Sequence, residues 1–127
     1  MYDAKILKLE KTADIEREIA AINVCKESVA IMKDKALFRI IKLTDVRNVV
    51  ANILKQEMLA CGGDAAVSMW TVDCSRPKTD VLLMGTLKQY ARVITKMRMQ
   101  SLTMSAQKKA EYKAVSDEIA QVLKKDL

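Results

Sequence analysis

From Val46 to Cys61, apolar side chains return at three- and four-residue steps, and the pattern stops at the pair Gly62-Gly63. No other stretch constrains the fold as tightly. Val46, Val49, Val50, Ile53, Leu54, Met58 and Cys61 form one stripe of a helix about four turns long, with Arg47, Asn48, Lys55 and Gln56 expected to face outward. Thr44 or Asp45 can cap its start. At its end, Gly62 falls where helices close on a left-handed residue, and Gly63 frees the chain from the last turn. "DAAVSMWTVDC" (residues 64–74) is then predicted as a strand and "SRPK" (75–78) as a turn. "TDVLLMGT" (79–86) is expected to return antiparallel and to end at Gly85.

On the N-terminal side, "ALFRIIKL" (36–43) is β-branched and apolar with basic residues toward its ends, which predicts a buried central strand. "AKILKLE" (4–10) alternates well enough around Ile6, Leu7 and Leu9 to predict a first strand. A helix is expected from Thr12, with Thr12 or Asp14 as cap, a stripe of Ile15, Ile19 and Ile22, and a stop at Asn23. Residues 24–35 fit either a short second helix or an irregular passage.

Beyond Gly85, Thr86 and Gln89 have capping-box spacing. The helix they open is predicted to bury Leu87, Tyr90, Ala91, Ile94 and Met97. A last helix over 105–125 is predicted to bury Tyr112, Val115, Ile119 and Val122. A chain of 127 residues with this order reads as a single α+β (mixed α/β) domain, residues 1–127. The expected architecture is a roughly four-stranded sheet with helices mainly on one face, ferredoxin-like with permuted ends, plus a C-terminal helix.

The chemistry is defined first by what is missing. There is no histidine, so the usual neutral-pH base, the usual zinc ligand and every Ser-His or Cys-His nucleophile are excluded. Cys25, Cys61 and Cys74 are an odd set without CxxC spacing and are expected to be free thiols, mostly buried. Cys61 sits at the wrong end of a helix for a thiolate and reads as a core residue. Glu10, Asp14, Glu16 and Glu18 lie where acids stabilise a helix start. No metal ligand set and no cofactor are expected. The start "MYDAKILKLEK" lacks the apolar run and cleavage site of a secretory signal, and no run of eighteen apolar residues occurs, so the expected location is cytoplasmic.

The net charge of +6 is concentrated. Lys88, Arg92, Lys96, Arg98, Lys108 and Lys109 fall in a stretch without an acid, so the rest of the chain sums to zero. Lys88, Arg92 and Lys96, four apart, would form one exposed helical stripe. With Gly85 and Thr86 at the helix start they make a candidate phosphate or pterin-type ligand site. RNA is a weaker candidate for the same face, because no stacking aromatic accompanies the charge. Trp70, Met99 and Met104 are candidate contact residues for a protein partner.

"RNVVANILKQEMLACGGDAAVSMW" followed by "DCSRPKTDVLLMGTLKQYARVITKMRMQ" resembles the segment that precedes the pterin-binding barrel in certain bacterial and archaeal dihydropteroate synthases. The resemblance covers about residues 32–100. It implies a role beside folate synthesis without the catalysis, because the (β/α)8 barrel that joins a pterin pyrophosphate to para-aminobenzoate has no counterpart here. "CSRP" at 74–77 lacks the glycine and acid of the barrel's Ser-Thr-Arg-Pro loop, and no catalytic residue carries over. The resemblance implies a stand-alone relative closed by its own last helix, or an excised domain. The expected function is a non-catalytic accessory module that binds a protein partner, such as a separate synthase barrel, or a copy of itself.

Overall fold

The computed structural model describes residues 2–102 and 105–127. Among these residues, five α-helices and three strands follow the order α1 (Thr12–Ala20), α2 (Lys26–Ala36), β1 (Phe38–Arg47), α3 (Asn48–Ala60), β2 (Asp64–Val67), β3 (Lys78–Thr86), α4 (Leu87–Ser101) and α5 (Ala106–Asp126). The mixed α/β class is as expected, and residues 24–35 resolve into the helix α2. The sheet has three strands in the order β1-β3-β2, not four, and both outer strands run antiparallel to β3. β1 and β2 are therefore parallel to each other and joined through α3, with β3 inserted between them. This is a ferredoxin-like unit without its final strand, in unpermuted order, and α5 follows α4 where that strand would return.

Residues 4–10 do not form the expected strand. They are irregular, and Ile6 and Leu7 are exposed. Adjacent Ile6 and Leu7 cannot both face a core from an extended chain, so only Leu9 packs, against Ile15, Leu37 and Leu87. β1 is an edge strand rather than a buried central one; β3 holds the centre. β1 also runs on to Arg47, because a bulge between Leu43 and Val46 lets Val46 and Arg47 pair with Thr79 and Lys78. Thr44 and Asp45 are absorbed into that bulge, with Asp45 at φ 53° and its N–H donating to Asp80, so neither caps α3. Asn48 is buried instead of outward, tied to the loop before β3 by its own N–H to Pro77 and its amide to Arg76, while Val49 is exposed. The predicted strand over 64–74 stops at Val67 and turns into a short 3-10 segment, Met69–Thr71.

The core lies between one sheet face and helices α3, α4 and α5. Ile41, Leu43, Val81, Leu83 and Ala65 meet Leu54, Met58, Tyr90, Val93, Met97, Tyr112 and Ile119 in one cluster. In α4, Val93 takes the buried place expected for Ala91, which is exposed; in α5, Val122 is exposed. Tyr90 is fully buried, and its hydroxyl donates to the Arg39 carbonyl at 2.7 Å. Arg39 in turn joins the chain ends, bonding Asp126 at 2.6 Å and the Glu10 carbonyl at 2.6 Å.

The glycine joint explains how α3 and α4 come together. Gly62 has φ +94°, its N–H bonds the Leu59 carbonyl, and the Gly63 N–H bonds the Met58 carbonyl at 2.9 Å, which is a Schellman closure. The capping box of α4 sits against it. The Gln89 N–H donates to Thr86 Oγ1, the Thr86 N–H donates to Gln89 Oε1, and Gln89 Nε2 reaches the Cys61 carbonyl at 3.3 Å. One glutamine thus satisfies the start of one helix and the end of another.

Candidate functional site

Two surfaces stand out. The first is an open groove of about 460 Å³ between the C-terminal part of α3 and the outward side of α4. Lys88, Arg92 and Lys96 line it, so the four-residue spacing seen in the sequence becomes one row of cations. Beneath them lie Ala60, Cys61, Ala91 and Val93. Glu57 also lines the groove, with its carboxylate accepting from Gln100 Nε2 at 2.8 Å. None of the three cations takes part in an ion pair among the described residues, whereas Arg39, Arg47, Lys55 and Arg98 all do.

Gly85 and Thr86 do not join that row. Gly85 is buried, with Met58 and Gln89 close to where a side chain would stand. The Thr86 and Gln89 N–H groups are used within the capping box, and the Leu87 N–H donates to the Leu37 carbonyl at 3.0 Å. An anion approaching the start of α4 would compete with these bonds.

The second surface is the outer face of the sheet. The register puts Phe38 beside Thr86, Met84 between Ile40 and Asp64, and Leu82 between Lys42 and Ala66. Phe38 is 53% exposed and Ile40 60%, and Leu82 and Met84 are half-buried. Scattered apolar residues are ordinary on a surface, but a contiguous group on a pleated face is not. Sequence reasoning misses this group because "ALFRIIKL" reads as a buried central strand; the one signal present is Lys42, a charged residue on the same face as Phe38 and Ile40.

The predicted contact residues lie elsewhere. Trp70 is half-buried in the loop between β2 and β3, its Nε1–H donating to the Lys78 carbonyl at 3.0 Å and the Arg76 guanidinium 4.5 Å above its ring. Its polar handle is already used, and the ring closes a loop. Met99 is exposed on α4. Met104 lies outside the described residues.

Cys25 and Cys74 are exposed and Cys61 is half-buried, against the expectation of mostly buried thiols. Cys25 stands at the N-cap of α2, and its Sγ lies 3.1 Å from Ser28 Oγ. The Ser28 hydroxyl and N–H hold that thiol below its ordinary range. Hydrogen bonding also lowers Asp64 and Asp73, through the N–H groups of Ala65 and Ser75. Among the described residues, no three Cys, Asp or Glu side chains converge as a metal site would require, and no helix is long and apolar enough to cross a membrane. Compared with known protein families, curated proteins and solved structures, the chain matches none.

Proposed function

We propose that the chain is a non-catalytic interaction module whose contact surface is the open face of its sheet, occupied by a second copy of the chain. The observation that carries this is the contiguous group of Phe38, Ile40, Leu82, Met84 and Ala66 turned outward. Burying such a face gains roughly 25 cal/mol per Å². A second copy suits it because Lys42 and Asp64 sit at opposite edges of the face. Facing two sheets across a two-fold axis along the strands lays β1 of one over β2 of the other. Each Lys42 then faces the other copy's Asp64 across the roughly 10 Å between the sheets, offset by about 7 Å, two residues, along the strand. Three free thiols suit a reducing compartment, and we take the cytoplasm as its place of action.

Light scattering across a concentration series tests this. A dimer is expected, and Ile40→Lys should return it to monomer with an unchanged circular dichroism spectrum. A chain that stays monomeric at about 1 mM, where association would be worth only about 4 kcal/mol, refutes self-association. The resemblance to the pre-barrel segment names the other occupant. If a dihydropteroate synthase barrel binds the monomer and Ile40→Lys abolishes that binding, the face belongs to an accessory subunit of that enzyme.

A further inference from the structure

We infer that the α3–α4 groove is a docking site for an acidic, amphipathic helix of a partner protein. The inference is independent of the sheet face. It rests on three features: the row of cations, their lack of partners and the apolar surface beneath them.

Lys88, Arg92 and Lys96 lie on one face of α4 at intervals of four residues, which is about 6 Å along the axis. Carboxylates four residues apart on a second helix repeat at the same interval, so an aligned helix can meet all three cations in register. The cations need not abandon intramolecular partners to do so, because none is engaged in an ion pair among the described residues. Beside the row, Ala60, Cys61 and Ala91 offer small apolar side chains with room above them, over the buried Val93. Two or three leucine-sized side chains fit such a volume, which is how a helix is held in a groove between two others.

A nucleic acid strand fits less well. It would lay polar sugars on an apolar floor, and no aromatic ring lines the groove to stack a base. A buried small molecule fits less well too, since the groove is open along its solvent side and could cover only part of a ligand. A helix needs one covered face and tolerates one exposed.

The probe is a fluorescent alanine-based peptide of about four turns with glutamate at every fourth position and leucines on the adjoining face. Its control is the same composition with the glutamates scattered around the helix. Anisotropy titration of the intact chain should show saturable binding of the patterned peptide, at least about fivefold tighter than the control. Raising salt from about 50 to 300 mM should weaken it severalfold, since exposed charges are screened beyond a few ångströms at the higher strength. Arg92→Glu should weaken binding about tenfold or more. Ala91→Trp, which keeps every charge but fills the groove, should weaken it comparably. Both positions are exposed, so circular dichroism should be unchanged.

Absence of saturable binding, equal affinity for the scattered control, or insensitivity to Ala91→Trp would each overturn the inference. So would a uridine oligonucleotide that binds more tightly than the peptide and is lost with Arg92→Glu. Ile40→Lys should leave peptide binding intact, so failure of the sheet-face reading and failure of this one are read separately.

Discussion

Substituting the two glycines of the α3–β2 joint one at a time separates two kinds of constraint. A Cβ on Gly63 would lie 2.7 Å from the Met84 backbone oxygen and 2.9 Å from Met58 Cε. Met84 is in the central strand, paired on both sides, so its carbonyl cannot move without disturbing β1 and β2. Relief must come from shifting α3 against the sheet, and such overpacking costs about 2–3 kcal/mol. Gly62 faces no comparable clash, since its nearest neighbour would be the Gln89 amide at 3.2 Å. Its constraint is the backbone at φ +94°, which costs an alanine about 1–2 kcal/mol, partly offset by the stiffer unfolded chain. Gly63→Ala is therefore expected to destabilise by about twice as much as Gly62→Ala. At about 4 °C per kcal/mol for a domain of this size, Gly63→Ala should melt about 8–12 °C below the parent chain. Urea unfolding followed by circular dichroism, with unchanged slope, gives the free energies. The reasoning fails if Gly63→Ala lies within about 0.5 kcal/mol of the parent, or if Gly62→Ala proves the more damaging.

Three further outcomes follow from the core and the thiols. Burial pushes the Tyr90 hydroxyl up to about 12, so the folded state favours its neutral form: that contribution is complete below about 10, the ordinary tyrosine value, and lost as pH rises through about 12. Tyr90→Phe should lose about 1 kcal/mol at neutral pH with the bond to the Arg39 carbonyl, and should show a shallower alkaline decline than the parent, not a flat one, because Tyr112 is also raised by burial; an identical alkaline profile would refute the assignment. Leu54→Ala, at a fully buried position in the main cluster, should cost about 3 kcal/mol by urea unfolding, and a loss below about 1 would mean that the sheet and helices repack around it. Timed alkylation read by mass spectrometry should modify Cys25 first and Cys61 last, with Ser28→Ala slowing Cys25; equal rates at all three thiols would contradict the geometry.

The interaction reading depends on what covers the sheet. In a complete ferredoxin-like unit a fourth strand would pair with β1; here α5 instead packs Tyr112 and Ile119 into the core on the inner side. That choice closes the core without extending the sheet. It leaves the outer face at three strands, with β1 as an edge bearing the exposed Lys42, a residue that discourages indiscriminate edge pairing.

Local chemistry determined much of this protein by itself. The Schellman closure at Gly62-Gly63, the capping box of Thr86 and Gln89 and the row of Lys88, Arg92 and Lys96 each depend on residues within a few positions of one another, and all are legible in the chain. What only the tertiary structure decided concerns partners distant in sequence. Whether residues 4–10 found an edge to pair with, whether β1 lay at the centre or the rim, where the bulge at Thr44 and Asp45 moved the start of α3, and which side of "FRIIKL" met solvent all depended on segments distant in the chain, β1 and β3 pairing residues 31 (Arg47 and Lys78) to 48 (Phe38 and Thr86) positions apart. An apolar strand carries no mark of how many of its faces will be covered, because burial is a property of what arrives opposite it.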